Sequence, residues 1–395
     1  MVRQVHGGTW KVRSQQKTRI LYSVNLEKRT CTCPDWGAWG MDCKHIFGVI
    51  FFTEVVIVDP VEEKMDDTTN LPSKTYPQKW AAYNKAQIGE QEWFESLLQQ
   101  ACATVPQPPQ GRGRRRLPLS DVIYLATRKV YSTKSGRRAS DALSACHEKD
   151  LVGSKVHHNT INRYLRKEEL TPILTSLIEL TATPLQALET DFAIDSSGFA
   201  TTTYDRWYDH KWGQPSRRAR WLKCHVIVGA KTNVVTSVKI TSLRGADTTM
   251  LPELLAASAK EFKMERLSGD KAYLSRVNLA AIEEAGAMPL VPFKYNSVNV
   301  PSHPAWQRMW TMFWTEQDRF NDLYHKRSNV ETTFHMIKAK LGGSVRSKNF
   351  TAQTNELLCK VLAHNIIVLI HEACELGLDP KDFMENLGGA SKGLN

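Results

Sequence analysis

Three acidic residues lie where their carboxylates could hold metal ions. Asp195 follows the apolar run FAI, Asp270 follows the run ERLSG, and Glu331 lies within LYHKRSNVETTFHMIKAKLGG. Carboxylate oxygens are the hard ligands that Mg²⁺ or Mn²⁺ prefers, and three of them suffice because Mg²⁺ keeps several of its waters. Two such ions, about 4 Å apart, activate an oxygen nucleophile and stabilise the charge on a phosphate during its transfer. These residue types therefore favour metal-assisted phosphodiester chemistry.

Two of the acids have alternative explanations. Asp191 lies four residues before Asp195, and both would share one face of a strand with a period of two. We favour Asp195 because the apolar residues before it place it deeper in the sheet, at the end of a strand. The Gly-Asp pair that contains Asp270 is, taken alone, typical of a turn.

The third acid, Glu331, belongs to a predicted long helix with an unusual face. At about 100° per residue, four side chains fall within an arc of about 60°. They are Tyr324, Arg327, Glu331 and Lys338. A solvated helix face with a salt bridge between Arg327 and Glu331 would have the same composition.

The spacing of this face favours the functional interpretation. Tyr-x2-Arg-x3-Glu-x6-Lys matches the motif around the glutamate of insertion-sequence transposases with a DDE triad, which residues 187–372 resemble throughout. The resemblance implies an RNase H-like fold in which Asp195, Asp270 and Glu331 are the catalytic metal ligands.

The same resemblance assigns roles to the other residues of the motif. Arg327 and Lys338 would hold phosphates of the transposon ends, and Tyr324 would contact the backbone beside the scissile bond. Some relatives carry a large β insertion before the glutamate helix, with a tryptophan that stabilises a flipped base. Only 60 residues separate Asp270 from Glu331 here, which argues against a DNA-hairpin mechanism that relies on that insertion.

A second metal site is predicted near the N-terminus. Four potential ligands follow the pattern Cys31-x-Cys33-x9-Cys43-x-His45, which suits a tetrahedral structural Zn²⁺ that supplies folding energy to a small unit. A chance grouping of buried cysteines is the alternative. The segment TCTCPDWGAWGMDCKHIFGV resembles the SWIM zinc finger, which implies an accessory domain that binds DNA or protein. The remaining cysteines are predicted to be reduced and buried.

Changes of composition divide the chain into five predicted segments of a multidomain α/β protein. They are the zinc-binding β unit at 1–58, a linker with a possible helix (Glu90–Ala103) and a basic arm at 59–116, a helical, helix-turn-helix-like DNA-binding unit at 117–185, the RNase H-like domain at 186–372, and a tail at 373–395. The arm contains Arg112, Arg114, Arg115 and Arg116, and the last three are predicted to bind DNA. In the catalytic domain, three strands followed by α/β units predict a mixed sheet covered by helices.

Two aromatic segments have alternative interpretations. Trp306, Trp310 and Trp314 are spaced like residues that pack in a core or a dimer interface, and base stacking is the alternative. The loop TYDRWYDHKWG, with Arg206 and Lys211, would suit a DNA strand or an ordinary exposed hairpin.

Composition agrees with a partner that carries phosphates. The 395 residues have a formal net charge of +11, which attracts nucleic acid. The N-terminus lacks the apolar core of a secretory signal, and the run Ile46–Val58 is too short to span a membrane. We therefore expect a cytoplasmic, nucleoid-associated protein if the host is prokaryotic, without a membrane partner or a nucleotide cofactor. Its expected partners are double-stranded DNA and further copies of itself, in a homodimer or a larger synaptic assembly. The rival hypotheses are a transposase-derived DNA-binding protein without catalysis and a zinc-dependent interaction factor.

Overall fold

The computed structural model contains two compact units, Met1–Tyr76 and Pro77–Asn395. The structure describes residues 2–5, 9–13, 20–26, 28–34, 36, 43, 45–46, 49, 79–113, 116–201, 221–242 and 245–381. Arg114, Arg115 and the aromatic loop with Arg206 and Lys211 lie outside the described residues.

The first unit contains an antiparallel sheet with the order β1-β2-β3-β4. Its strands are β1 (Val2–Val5), β2 (Thr9–Arg13), β3 (Leu21–Asn25) and β4 (Thr30–Cys31). Trp10, Val12 and Val24 are buried against the three cysteines at 31, 33 and 43. This core is small, so apolar burial alone contributes little stability.

The second unit begins with helices. They are α1 (Trp80–Ala103), α2 (Leu119–Tyr131), α3 (Ser140–Glu148), α4 (His158–Tyr164) and α5 (Leu170–Ala182), followed by a 3-10 turn at Thr183–Leu185. The first helix begins at Trp80, earlier than the predicted start at Glu90, and buries Phe94, Leu97 and Leu98. The expectation of a helical segment at 117–185 agrees with these elements.

A mixed five-stranded sheet follows, with the order β7-β6-β5-β8-β9. Its strands are β5 (Asp191–Ala200), β6 (Trp221–Gly229), β7 (Val235–Ser242), β8 (Arg266–Gly269) and β9 (Met288–Leu290). The pairings β5–β6 and β6–β7 are antiparallel, whereas β8 runs parallel to β5 and β9 parallel to β8. Helix α6 (Asp247–Glu261) connects β7 to β8, and α7 (Arg276–Glu284) connects β8 to β9. The predicted order of strands and helices is confirmed.

The helix predicted to carry Glu331 is divided in the structure. After α8 (Pro304–Thr315) come α9 (Gln317–Tyr324), a 3-10 turn at His325–Arg327 and α10 (Ser328–Leu341). The backbone stays in the right-handed helical region from Tyr324 to Ser328, so the predicted helix is present, with three of its residues wound as a 3-10 turn. The region from α7 to α9 has its own small core around Phe293, Trp306 and Phe320.

The last helix, α11 (Phe350–Leu376), is central to the second unit. It contacts α1, α2 and α5, and its apolar residues belong to the same core as the sheet. Among the described helices it alone is long and apolar enough to cross a membrane, yet 89% of its most apolar window is buried in the protein. Asn365 on this helix accepts a bond from the Val235 amide at 2.9 Å and donates to the Val235 carbonyl at 2.8 Å. The burial of its apolar residues and the contacts of Asn365 identify α11 as a core helix of the second unit.

Candidate functional site

Asp195 and Asp270 lie side by side on neighbouring strands. Ile194 on β5 is in register with Gly269, the last residue of β8, so the next residue of each parallel strand is an acid. Adjacent strands lie about 4.8 Å apart. The prediction that β5 ends at Asp195 was wrong, because β5 continues to Ala200. The end that exposes the two acids is that of β8.

The Asp195 carboxylate is only partly accessible. Its side chain is 19% exposed, and Oδ1 accepts a hydrogen bond from the Ser196 amide at 2.7 Å. Burial raises the pKa of Asp195 to about 6, and the charges of Asp270 and Glu331 act in the same direction. Three acids that repel one another at one position are an electrostatic arrangement that a divalent cation would relieve.

Glu331 lies in the first turn of α10, and Arg327 precedes that helix. The Arg327 guanidinium lies 3.1 Å from Glu331 Oε1 and 3.5 Å from Asp195 Oδ2. The helical salt bridge that the sequence allowed is therefore present. It is also part of a contact that reaches across to β5, because the same guanidinium bridges two of the predicted metal ligands.

The other two residues of the motif flank this contact. The Tyr324 ring centroid lies 5.9 Å from the Arg327 guanidinium carbon, and burial raises the pKa of the phenol. Lys338 Nζ donates to Ser197 Oγ at 2.7 Å, two residues beyond Asp195 on β5. Burial lowers the pKa of Lys338. Arg327 and Lys338 thus both contact β5.

Asp191, the alternative to Asp195, has partners of its own. Its carboxylate pairs with Arg266 at 2.8 Å and with Lys326. These contacts occupy both carboxylate oxygens with cations at the start of β5. Asp195 is the better candidate ligand because it lies beside Asp270.

The donor set of the three acids fits a hard divalent cation. Asp195, Asp270 and Glu331 offer oxygen ligands, and Glu331 is 65% exposed, with room to change rotamer. Asp270 Oδ1 accepts a bond from the Ala272 amide at 2.8 Å, which fixes its orientation. In the described structure, Arg327 contacts two of these carboxylates. The carboxylate oxygens lie farther from one another than the cysteine and histidine ligand atoms of the first unit.

A polar cluster that no sequence motif predicted lies beside the acids. Asp247, at the start of α6, accepts from Ser196 Oγ at 2.9 Å and from Lys223 Nζ at 2.7 Å, and lies 3.2 Å from His225 Nδ1. Burial lowers the pKa of His225. An acid in the first turn of a helix is an ordinary dipole partner, so the only sequence signal for Asp247 was a common one. The cluster fixes Ser196, the neighbour of Asp195.

Several other predicted residues lie elsewhere. Trp306 is buried, as core packing predicts, whereas Trp314 is 53% exposed. Arg116 is exposed, and its positive charge lowers the pKa of Glu169, after the larger effect of Lys167.

The predicted zinc ligands do meet in the first unit. Ligand atoms of Cys31, Cys33, Cys43 and His45 all lie within 4.8 Å of one another, and all four residues are buried. Cys43 Sγ lies 3.8 Å from His45 Nδ1, close to the roughly 3.6 Å that tetrahedral zinc bonds imply. The cluster is compatible with a zinc site in which protein atoms fill all four positions.

Part of the second unit is similar to a known protein family. No curated protein matches the chain. The mixed five-stranded sheet with flanking helices fits an RNase H-like transposase domain. Residues 186–366, which contain all three acids together with Tyr324, Arg327 and Lys338, match the family model of the transposase DDE domain, and this match supports a DDE-type transposase.

Proposed function

We propose that this protein is a DDE transposase that binds the ends of a mobile element and carries out metal-dependent cleavage and transfer of DNA strands. The observation that carries the proposal is the convergence of Asp195, Asp270 and Glu331 within the segment that matches the transposase DDE domain. The reaction would hydrolyse one strand to free a 3′-hydroxyl and then use that hydroxyl to attack target DNA. Because transesterification conserves bond energy, it needs no ATP.

We assign roles to the site residues from the motif and from their positions around the three acids. Asp195, Asp270 and Glu331 would hold Mg²⁺ or Mn²⁺, which supplies charge stabilisation and activation of the attacking oxygen. Arg327 grips a phosphate through its planar guanidinium, and Lys338 holds a neighbouring phosphate as a point charge beside Ser197. Tyr324, beside Arg327, contacts the backbone next to the scissile bond.

The remaining segments would serve recognition. We assign DNA binding to the helical segment 117–185 and to the arm at Arg114, Arg115 and Arg116, and an accessory SWIM-type role to the zinc unit. Two ends must be cut together, so a homodimer or a larger synaptic assembly is part of the proposal.

Replacement of Glu331 by glutamine tests the catalytic proposal. Glu331→Gln keeps side-chain volume but removes a negative charge that holds the cation. Binding to DNA should persist, whereas cleavage and strand transfer should fall by several orders of magnitude, because metal-assisted charge stabilisation contributes several kcal/mol to the barrier. The substrate is a labelled duplex with the inverted repeats that flank the gene, and Mg²⁺-dependent cleavage is followed on gels.

Glu316→Gln is the matched control, since the Glu316 carboxylate also pairs with an arginine, Arg319, but both residues lie outside the motif. This variant should cleave at the rate of the wild type. A salt-bridge role alone for Glu331 predicts a loss of about 0.5 kcal/mol in stability with activity retained, and near-native cleavage by Glu331→Gln would overturn the proposal. Wild-type protein that binds the ends without cleaving them would favour a non-catalytic DNA-binding protein.

A further inference from the structure

A basic cleft lies beside the end of β5 in the second unit. It has a volume of about 350 Å³. Four cationic side chains line it: Lys129, Arg166, Arg346 and Lys348. The other polar side chains around it are those of Ser135, Asn162, Thr201 and Ser347. None of the lining residues in the described part of the chain is acidic, so the cleft attracts anions.

Lys129 is the buried member of this set. It is 6% exposed, and its Nζ donates to Asn162 Oδ1 at 2.9 Å. An amide oxygen is neutral, so this hydrogen bond supplies no opposite charge. Among the ion pairs of the described residues, none includes Lys129. Because burying a cation is costly without an opposite charge, an anion in the cleft would be stabilised by Lys129.

The loop that supplies Arg346 and Lys348 is held firmly. The Ala200 amide donates to the Gly343 carbonyl at 3.0 Å, and the Val345 amide donates to the Ala200 carbonyl at 2.8 Å. Glu356 accepts from the backbone amides of Arg346 and Ser347, each at 2.8 Å. This carboxylate is buried behind the loop. The exposed side chains of Arg346 and Lys348 are therefore presented from a fixed backbone.

The cleft continues a line of cations along β5. Arg327 contacts Asp195, Lys338 contacts Ser197, and the cleft includes Thr201. Six residues of strand, from Asp195 to Thr201, span about 20 Å. B-form DNA rises about 3.4 Å per base pair, so this distance corresponds to roughly six base pairs.

We propose that the cleft binds the sugar-phosphate backbone of a DNA duplex about six base pairs from the phosphate that reacts at Asp195. This inference rests on the proposed function. It adds a DNA-binding surface to which both the helical segment and the catalytic segment contribute residues. Binding in the cleft should not depend on base sequence, because cations that contact phosphates position the duplex without contacting the bases.

The test removes the three exposed cations together, in the variant Arg166→Ala, Arg346→Ala, Lys348→Ala. A fluorescein-labelled duplex of random sequence is titrated by anisotropy over a series of KCl concentrations, without added divalent metal. The dependence of log affinity on log salt should flatten by about two to three units, and affinity at about 0.1 M salt should fall at least tenfold. Circular dichroism verifies that the variant is folded.

The control removes three exposed lysines outside the cleft with the same change of charge: Lys260→Ala, Lys263→Ala, Lys294→Ala. An unchanged salt slope in the cleft variant, or an equal effect in the control, overturns the inference. Since no divalent metal is added, the result does not depend on cleavage. Wild-type protein that binds through the cleft yet does not cleave with Mg²⁺ would contradict the proposed function and leave the cleft standing.

Discussion

Arg327 contacts two of the three carboxylates in the candidate active site, and its single charge offsets only part of their repulsion. The pKa of Asp195 remains raised to about 6, because burial outweighs the attraction of the guanidinium. At neutral pH the three acids therefore carry more negative charge than Arg327 neutralises. At the scale of single residues, this excess is the physical reason to expect a bound cation there.

His364 provides a test of residue-level electrostatics away from the site. Its Nε2 lies 2.9 Å from the Asn233 carbonyl, and burial lowers its pKa to about 4. Below about pH 6.5 the unfolded chain binds a proton that the folded protein does not, so stability falls as the pH drops from about 6.5 to about 4. The variant His364→Gln keeps an N–H donor but does not titrate. Between these pH values its free energy of unfolding should fall by up to about 3 kcal/mol less than that of the wild type, measured by urea unfolding.

The exposed His303 supplies the control for this prediction. Because its ring remains in water in the folded protein, His303→Gln should keep the pH dependence of the wild type. If His364→Gln also keeps that dependence, burial of His364 does not cause the acid destabilisation.

At the scale of elements, the sheet and the helix that carries Glu331 could be predicted, whereas the 3-10 turn before that helix could not. Apolar runs separated by polar or glycine-containing segments predicted β5 to β9 and the helices between them. By contrast, His325–Arg327 contains no proline or glycine, the usual causes of a helix break. The contacts that accompany the 3-10 turn are tertiary: Arg327 contacts Asp195, and the Asn329 side chain donates to the Ala230 carbonyl. A local pattern does not contain such contacts.

The same distinction applies to the functional residues. Asp195 and Asp270 could be predicted because each follows an apolar strand. Asp247 could not, since it begins helix α6 and its partners Lys223 and His225 come from strand β6. The basic cleft combines residues from α2, from the chain after α4 and from the loop before α11. Only the folded chain brings these cations together.

Gly342 tests the turn that leads from α10 into the cleft loop. Its φ of 82° and ψ of 140° lie in a region that side chains disfavour, with a cost of about 1–3 kcal/mol. A Cβ there would make only an ordinary contact, 3.7 Å from the Lys360 ammonium, so the cost lies in the backbone conformation. Gly342→Ala should therefore lower the free energy of unfolding by about 1–3 kcal/mol in urea denaturation.

Gly111→Ala is the control, because a Cβ at Gly111 meets no atom within 4 Å. It should change stability by less than about 1 kcal/mol. Equal stabilities for the two alanine variants would contradict a strained backbone at Gly342.

At the scale of the whole molecule, the two compact units depend on different sources of stability. The second unit buries a large core shared by the sheet and α11. The core of the first unit contains few residues, and three of them are the clustered cysteines. A unit of this size needs a further contribution, which a metal at Cys31, Cys33, Cys43 and His45 would provide.

The prediction for this unit is one bound zinc per chain that stabilises residues 1–76 and leaves the second unit folded. In the full chain, Cys33→Ser should abolish zinc in metal analysis and increase hydrogen exchange in the first unit, because three ligands hold the ion poorly. Exchange in α11 should be unchanged. Cys146→Ser is the matched control, since Cys146 is a buried thiol in the second unit that donates to the Ala142 carbonyl. It should keep the zinc. Native protein without zinc, or a Cys33→Ser variant that exchanges like the wild type, would show that the four side chains form an ordinary buried cluster.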